Sequence, residues 1–170
     1  MELSLPKDVE GAECSDVTID EAEDMMDKGY EMIEFCKEKV GIGMAGPQVG
    51  INKNIMIKRG MLNPVYEIIF NPSFYKEGGT VRTVEGCLTY PGKHFFQKRF
   101  KRIGVVYYIW SGEKFLKRTK KVKGMEAFVW QHEIDHLKGK TIAMKGELVD
   151  EEKINKRVAK DGKPMEIPVL

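Results

Sequence analysis

A chain of 170 residues, 42% hydrophobic and 32% charged, has the length and balance of one ordinary folded domain, which excludes the disordered and fibrous classes. Its net charge of +2 is too small to argue for nucleic acid, and its longest apolar runs, such as VVYYIW at 105–110, fall far short of the ~18–20 residues a membrane span requires. Three cysteines, Cys14, Cys36 and Cys87, are few and odd in number, which suits free or metal-bound thiols in a reducing compartment better than a disulfide framework.

The N-terminal MELSLPKDVEGAEC lacks the charged-then-apolar order of a secretion signal and is too acidic for a transit peptide. The expected location is the cytoplasm, or an organelle after processing. Thr18 and Glu21 stand at capping-box spacing, and Ala22, Met25, Met26, Gly29, Ile33, Cys36 and Val40 recur with helical period, predicting an amphipathic helix over about 19–39. GIGMAGPQVG (41–50) then reads as a loop shaped by its backbone, since glycine allows close approach and proline forbids helix. NIMIKR, VYEIIFNP, TVRTVEGCL, RIGVVYYIW and EKFLKRTKKV follow, short, β-branched and aromatic, and read as antiparallel strands. The basic runs KHFFQKRFKR (93–102) and KFLKRTKKVKG (114–124) read as solvated faces of strands.

A second helix is predicted over about 126–137, apolar on both sides and therefore buried. The charged tail from Glu147, broken by Gly162, Pro164 and Pro168, predicts at most a short helix around 150–160. With no repeat or long linker, residues 1–170 form one expected catalytic domain, its motifs between about 20 and 145. The expected fold class is α+β: mixed, mainly antiparallel short sheets packed around a central metal-binding helix.

Within WQHEIDHLKG (130–139), His132, Glu133 and His136 stand in the order H-E-x-x-H, which on a helix lets two imidazoles grip one divalent metal with a carboxylate beside it. A third ligand is still required. A continuation to x-x-G-x-x-H would place a histidine at Ile142, so the metzincin pattern is excluded. His94, the cysteines and the carboxylates Glu147, Asp150, Glu151 and Glu152 remain. Cys87 is the best placed, in EGCLTYPG at the end of a predicted strand where Gly86 and Gly92 let the backbone turn toward a ligand. A thiolate with two imidazoles leaves the fourth vertex of a tetrahedral site open to water.

Together GIGMAGPQVG (41–50), EGCLTYPG (85–92) and QHEIDHLKGK (131–140) resemble the three motifs of the peptide deformylases in order and spacing, over residues of about 20–145. The resemblance implies hydrolysis of the N-formyl group of formylmethionyl nascent peptides, releasing formate, by one divalent metal ion, Fe²⁺ natively in many members and replaceable by Zn²⁺, Ni²⁺ or Co²⁺. It implies Cys87, His132 and His136 as metal ligands, Glu133 as acid/base, and Gln48 with the Leu88 N–H as donors to the formyl oxygen. The backbone at Ile42, Gly43 and Gly86 would pair with an extended peptide, and Ile42, Met125, Phe128 and Val129 would line the methionine pocket. Glu85 and Asp135 would orient ligands, with Arg99 a partner for Asp135.

The match departs in places. Thr89 replaces a usual serine, Gly46 a common alanine, and Lys93 and His94 stand where many bacterial members carry an arginine. A transient ribosome contact through the basic runs is the other expected partner; no membrane and no specific DNA are expected. A peptidase acting on ordinary peptide bonds and a silent binding module on the same scaffold are the alternatives.

Overall fold

A computed structural model describes residues 1–149 and Leu170. The expected helix at 150–160 and the candidate ligands Asp150, Glu151 and Glu152 lie outside the described residues. The N-terminal stretch carries one short helix, α1 (Pro6–Val9). The Glu21 carboxylate accepts both the Thr18 N–H and the Thr18 hydroxyl, at 3.0 and 3.1 Å, closing a 3₁₀ turn at Ile19–Glu21 that leads into α2 (Ala22–Glu38). Ala22, Gly29, Met32, Ile33 and Cys36 form the buried stripe of α2. Gly29 is required there, because a Cβ would meet Ile68 at 2.7 Å. Val40, expected on the apolar stripe, is 81% exposed: the helix has already ended, and Val40 takes a left-handed φ of 58° to turn the chain into Gly41.

Strands β1 (Gly43–Ala45), β2 (Ile55–Arg59), β3 (Tyr66–Lys76), β6 (Arg102–Trp110) and β7 (Phe115–Lys123) form a five-stranded antiparallel sheet in the order β1-β2-β3-β6-β7. A smaller sheet has the order β4-β5-β8, from β4 (Thr80–Gly86), β5 (His94–Phe100) and β8 (Glu147–Leu148). The two-residue alternation of β2 divides the core. Ile55 and Ile57 face α2 with Met32, Cys36 and Phe70, while Met56 faces α3 (Met125–Leu137) with Ile69, Ile103, Trp130 and Ile134. Each such fully buried large side chain contributes roughly 1.5–3 kcal/mol.

Helix α3 is held between the two sheets. Gln131 takes the Phe100 N–H on its Oε1 (2.8 Å) and donates from Nε2 to the Phe100 carbonyl (3.0 Å), tying α3 to β5. Between Ala127 and Leu137 all but the half-buried Phe128 and Asp135 are buried, while Met125, in the first turn, is 40% exposed, so the expectation of a helix buried all round fails at its start. β7 presents its lysines to solvent as expected. In β5, by contrast, Phe95, Gln97 and Arg99 all point inward. That basic run is one strand with a buried cation, not a solvated face. α4 (Ile142–Lys145) follows the turn after α3.

Candidate metal centre

Three segments converge at the N-terminal side of the last α3 turn. His132 Nε2 and His136 Nε2 stand 3.2 Å apart, one helical turn separating the residues. Cys87, the first residue beyond β4, brings its Sγ to 3.3 Å from His136 Nε2. The three ligand atoms lie within 4.8 Å of one another, and all three residues are buried. Of the remaining candidates, His94 pairs with Gly86 within the small sheet and Glu147 is exposed beside Arg82. Neither belongs to the cluster.

Acceptors fix the two rings from behind. His132 Nδ1 lies 3.0 Å from Glu85 Oε2, and His136 Nδ1 lies 3.1 Å from the Lys140 carbonyl. Both partners are acceptors, so the Nδ1 atoms carry hydrogen and the Nε2 lone pairs face the Cys87 sulfur. Lone pairs converging at this range repel unless positive charge lies among them. Burial disfavours the Cys87 thiolate, yet His136 and His132 carry its pKa well below the ordinary value; burial likewise opposes a charged His132, and Cys87 and Glu85 raise it. Protons satisfy that demand without a metal, and a divalent cation satisfies it with one ion. Bond lengths of ~2.0–2.1 Å to nitrogen and ~2.3 Å to sulfur imply tetrahedral edges of roughly 3.3–3.6 Å, close to the 3.2 and 3.3 Å that separate His136 Nε2 from His132 Nε2 and the Cys87 sulfur. The donor set therefore fits a divalent metal.

Glu133 is 0% exposed, and neither carboxylate oxygen has a hydrogen-bond partner among the described residues. Burial raises its pKa to about 7. A buried carboxylate left without partners is expensive, and this one stands beside the three side chains whose ligand atoms could hold a metal ion. Gly43 makes room for it: a Cβ at that position would lie 2.6 Å from Glu133 Oε1.

Gln48 sits in the 3₁₀ turn Gly46–Val49 that follows β1, fully buried. Its Oε1 accepts the Ala45 N–H (2.9 Å), which aims Nε2 at Thr89 Oγ1 (3.1 Å) and the Cys87 sulfur (3.5 Å). Leu88 and Gly86 line a cavity of ≈180 Å³ that reaches Cys87 and opens past Lys39, Lys93 and His94. Gly86 ends β4, which among the described residues has no neighbouring strand on its outer side, and its carbonyl accepts the N–H of Leu170 at 3.1 Å; Leu170 is 1% exposed. The Ile42 carbonyl is taken by the Arg59 N–H (2.8 Å), so of the backbone expected to meet a peptide there that group already belongs to the large sheet. Val129 is buried and Phe128 half-buried on the α3 turn before His132.

Behind the ligands, Arg99 is 5% exposed and clamps Glu85 through Nε (2.8 Å) and Nη2 (2.7 Å) while Nη1 reaches Asp135 Oδ2 (2.5 Å). Thr83 donates to Glu85 as well (2.8 Å). The expected Arg99–Asp135 pair is present; the stronger Arg99–Glu85 fork was not anticipated. Nor was the Lys140 carbonyl, for which no side chain gives a signal.

A buried cysteine beside an imidazole pair on a helix between antiparallel sheets, next to a carboxylate with no partner among the described residues, has the make-up of a metal-dependent hydrolase. The family profile described as polypeptide deformylase matches residues 3–152. The peptide deformylase of Dictyoglomus turgidum is 40% identical over 111 residues, covering 64% of this chain and 68% of that one, and peptide deformylase 1 of Clostridium perfringens is 36% identical over 109 residues, covering 64% and 72%. Among solved structures, PDF from the Vibrio parahaemolyticus bacteriophage VP16T, in complex with actinonin, superposes with TM-score 0.74 at 34% identity, over 84% of this chain and 100% of that one. The peptide deformylase from Thermus thermophilus gives 0.73 at 27% identity, over 89% and 86%. The chain belongs to the polypeptide deformylase family and is an enzyme, a hydrolase that removes the N-formyl group from newly made polypeptides. No helix among the described residues is long and apolar enough to cross a membrane.

Proposed function

We propose that Cys87, His132 and His136 hold one divalent metal ion beside Glu133, and that this centre hydrolyses the formamide of N-terminal formylmethionine to formate and a free amine. One observation carries the reading: three buried donor atoms converge next to a carboxylate that has no partner among the described residues. A divalent cation held there lowers the pKa of a water toward ~7 and so supplies a nucleophile at neutral pH. Glu133 accepts the proton that water loses as its oxygen bonds to the formyl carbon. The same proton passes to the nitrogen as the carbon–nitrogen bond breaks. A pKa raised to about 7 suits a group that accepts and returns a proton near neutrality.

Gln48 Nε2 and the Leu88 N–H serve as donors to the formyl oxygen as charge develops on it, each such donor contributing ~2.7–4 kcal/mol. Because the Gln48 amide has two hydrogens, one stays on Thr89 while the other turns to substrate. An extended peptide adds along Ile42, Gly43 and Gly86 without using the Ile42 carbonyl, which the Arg59 N–H holds; the Leu170 N–H on the Gly86 carbonyl supports this, since a main-chain donor already uses that edge. Met125, Phe128, Val129 and Ile42 form the wall for the methionine side chain. Fe²⁺, which the family resemblance implies, is the native ion in this reading, with Zn²⁺, Ni²⁺ or Co²⁺ able to replace it on the same thiolate and imidazole donors. The whole chain acts as one catalytic domain in the cytoplasm or a translating organelle, and the exposed lysines of β7 provide for transient ribosome contact.

Formate release decides the matter. Formyl-Met-Ala loses formate in the presence of the metal-loaded protein, while acetyl-Met-Ala and internal peptide bonds survive. Release of amino acids without formate contradicts the proposal.

A further inference from the structure

The N-terminal stretch touches all three site-bearing segments. The Ser4 N–H donates to the Gln48 carbonyl (2.8 Å), and the Gly11 N–H to the Gly139 carbonyl (2.8 Å). Gly139 takes a φ of +63° with Ala12 so near that a Cβ would lie 2.7 Å from its nitrogen. Between these points Glu10 Oε1 accepts the Tyr90 hydroxyl (2.5 Å) and the Thr141 hydroxyl (2.9 Å), and the two hydroxyls are themselves 3.0 Å apart.

Tyr90 and Thr141 each stand close to a proposed ligand. The Tyr90 N–H closes the Cys87 turn on the Cys87 carbonyl (2.9 Å), and the Tyr90 ring packs edge-on against Phe95, 5.6 Å between centroids, in the apolar cluster that contains Cys87. Thr141 directly follows Lys140, whose carbonyl accepts His136 Nδ1–H. The loop that orients His136 and the turn that presents Cys87 are thus tied to one carboxylate oxygen from outside both motifs. Burial and Glu10 raise the Tyr90 pKa to about 12, which keeps its hydroxyl a donor.

We propose that Glu10 is a positioning residue: by bridging Tyr90 and Thr141 it sets the separation of the Cys87 sulfur from the His136 ring, and so governs how tightly the metal is held. The inference rests on the ligand assignment above. Charge-assisted bonds of this kind are short and directional, and groups that orient metal ligands typically alter affinity 10–100-fold when removed. One step further out, about tenfold is expected.

The test uses the full-length protein loaded with Co²⁺, read by its thiolate-to-cobalt absorption and by the rate of cobalt release to a chelator. Glu10→Gln and Tyr90→Phe each release cobalt about tenfold faster and shift the absorption band, the double variant is no faster than the faster single one, and Thr141→Ser behaves as wild type. A lowered thermal midpoint with unchanged spectrum and release rate, or effects that multiply in the double variant, overturns the proposal. If wild type itself shows no thiolate-to-cobalt band, the ligand assignment fails instead, and the two failures are told apart.

Discussion

In the proposed centre the Cys87 sulfur, two imidazole nitrogens and the Glu133 carboxylate carry the chemistry, and their neighbours are as specific as they are. Gly43→Ala would place a methyl group 2.6 Å from Glu133 Oε1, so the carboxylate would have to shift. Metal analysis is expected to find full occupancy while formate release falls by about 100-fold, because proton transfer tolerates ångström displacements poorly. Gln48→Ala is expected to lower kcat by about 10²–10³ with metal retained, the range for loss of one oxyanion donor, measured with formyl-Met-Ala. The H-E-x-x-H spacing and the cysteine turn were legible because both are local patterns with a chemical reason. The Gly43–Glu133 contact was not: it joins residues 43 and 133 through space, and no residue type announces it.

Among the secondary-structure elements, α2 and α3 were legible to within a few residues from their apolar period, and the fault lines lie where a charge enters a buried face. β5 illustrates this. Its inward row Phe95, Gln97, Arg99 includes a cation that reads as surface, and only Glu85 on β4 and Asp135 on α3 make its burial tolerable. Replacing Arg99 by Met removes the partner of a buried Glu85 carboxylate that also holds His132. The expected loss of folding stability is ~3–5 kcal/mol, the range for breaking a buried ion pair on one side, and urea unfolding of the metal-free protein measures it. Equal midpoints and slopes for variant and wild type would show that the Arg99 fork contributes nothing.

For the molecule as a whole, two sheets and the N-terminal stretch bring the proposed ligands together from distant parts of the chain, so in this reading metal binding and folding are linked. A ligand present at 1,000 times its dissociation constant stabilises the folded state by ~4.1 kcal/mol, which for a chain of this size raises Tm by roughly 8–16 °C. Differential scanning calorimetry with and without Zn²⁺ is expected to show that rise in wild type and little of it in Cys87→Ala. Thiol chemistry gives a parallel readout: burial lifts Cys14 to about 11 and Cys36 to about 12, while the neighbouring imidazoles depress Cys87. The α+β architecture was legible from strand and helix patterns, but the attachment of the N-terminal stretch was not, since its bonds run largely through main-chain groups and exposed polar side chains. The central claim, that one thiolate and two imidazoles share a single cation, is tested most directly by X-ray absorption of the metal-loaded protein. One sulfur and two imidazole nitrogens in the shell around the metal are predicted, and a shell without sulfur would contradict the account.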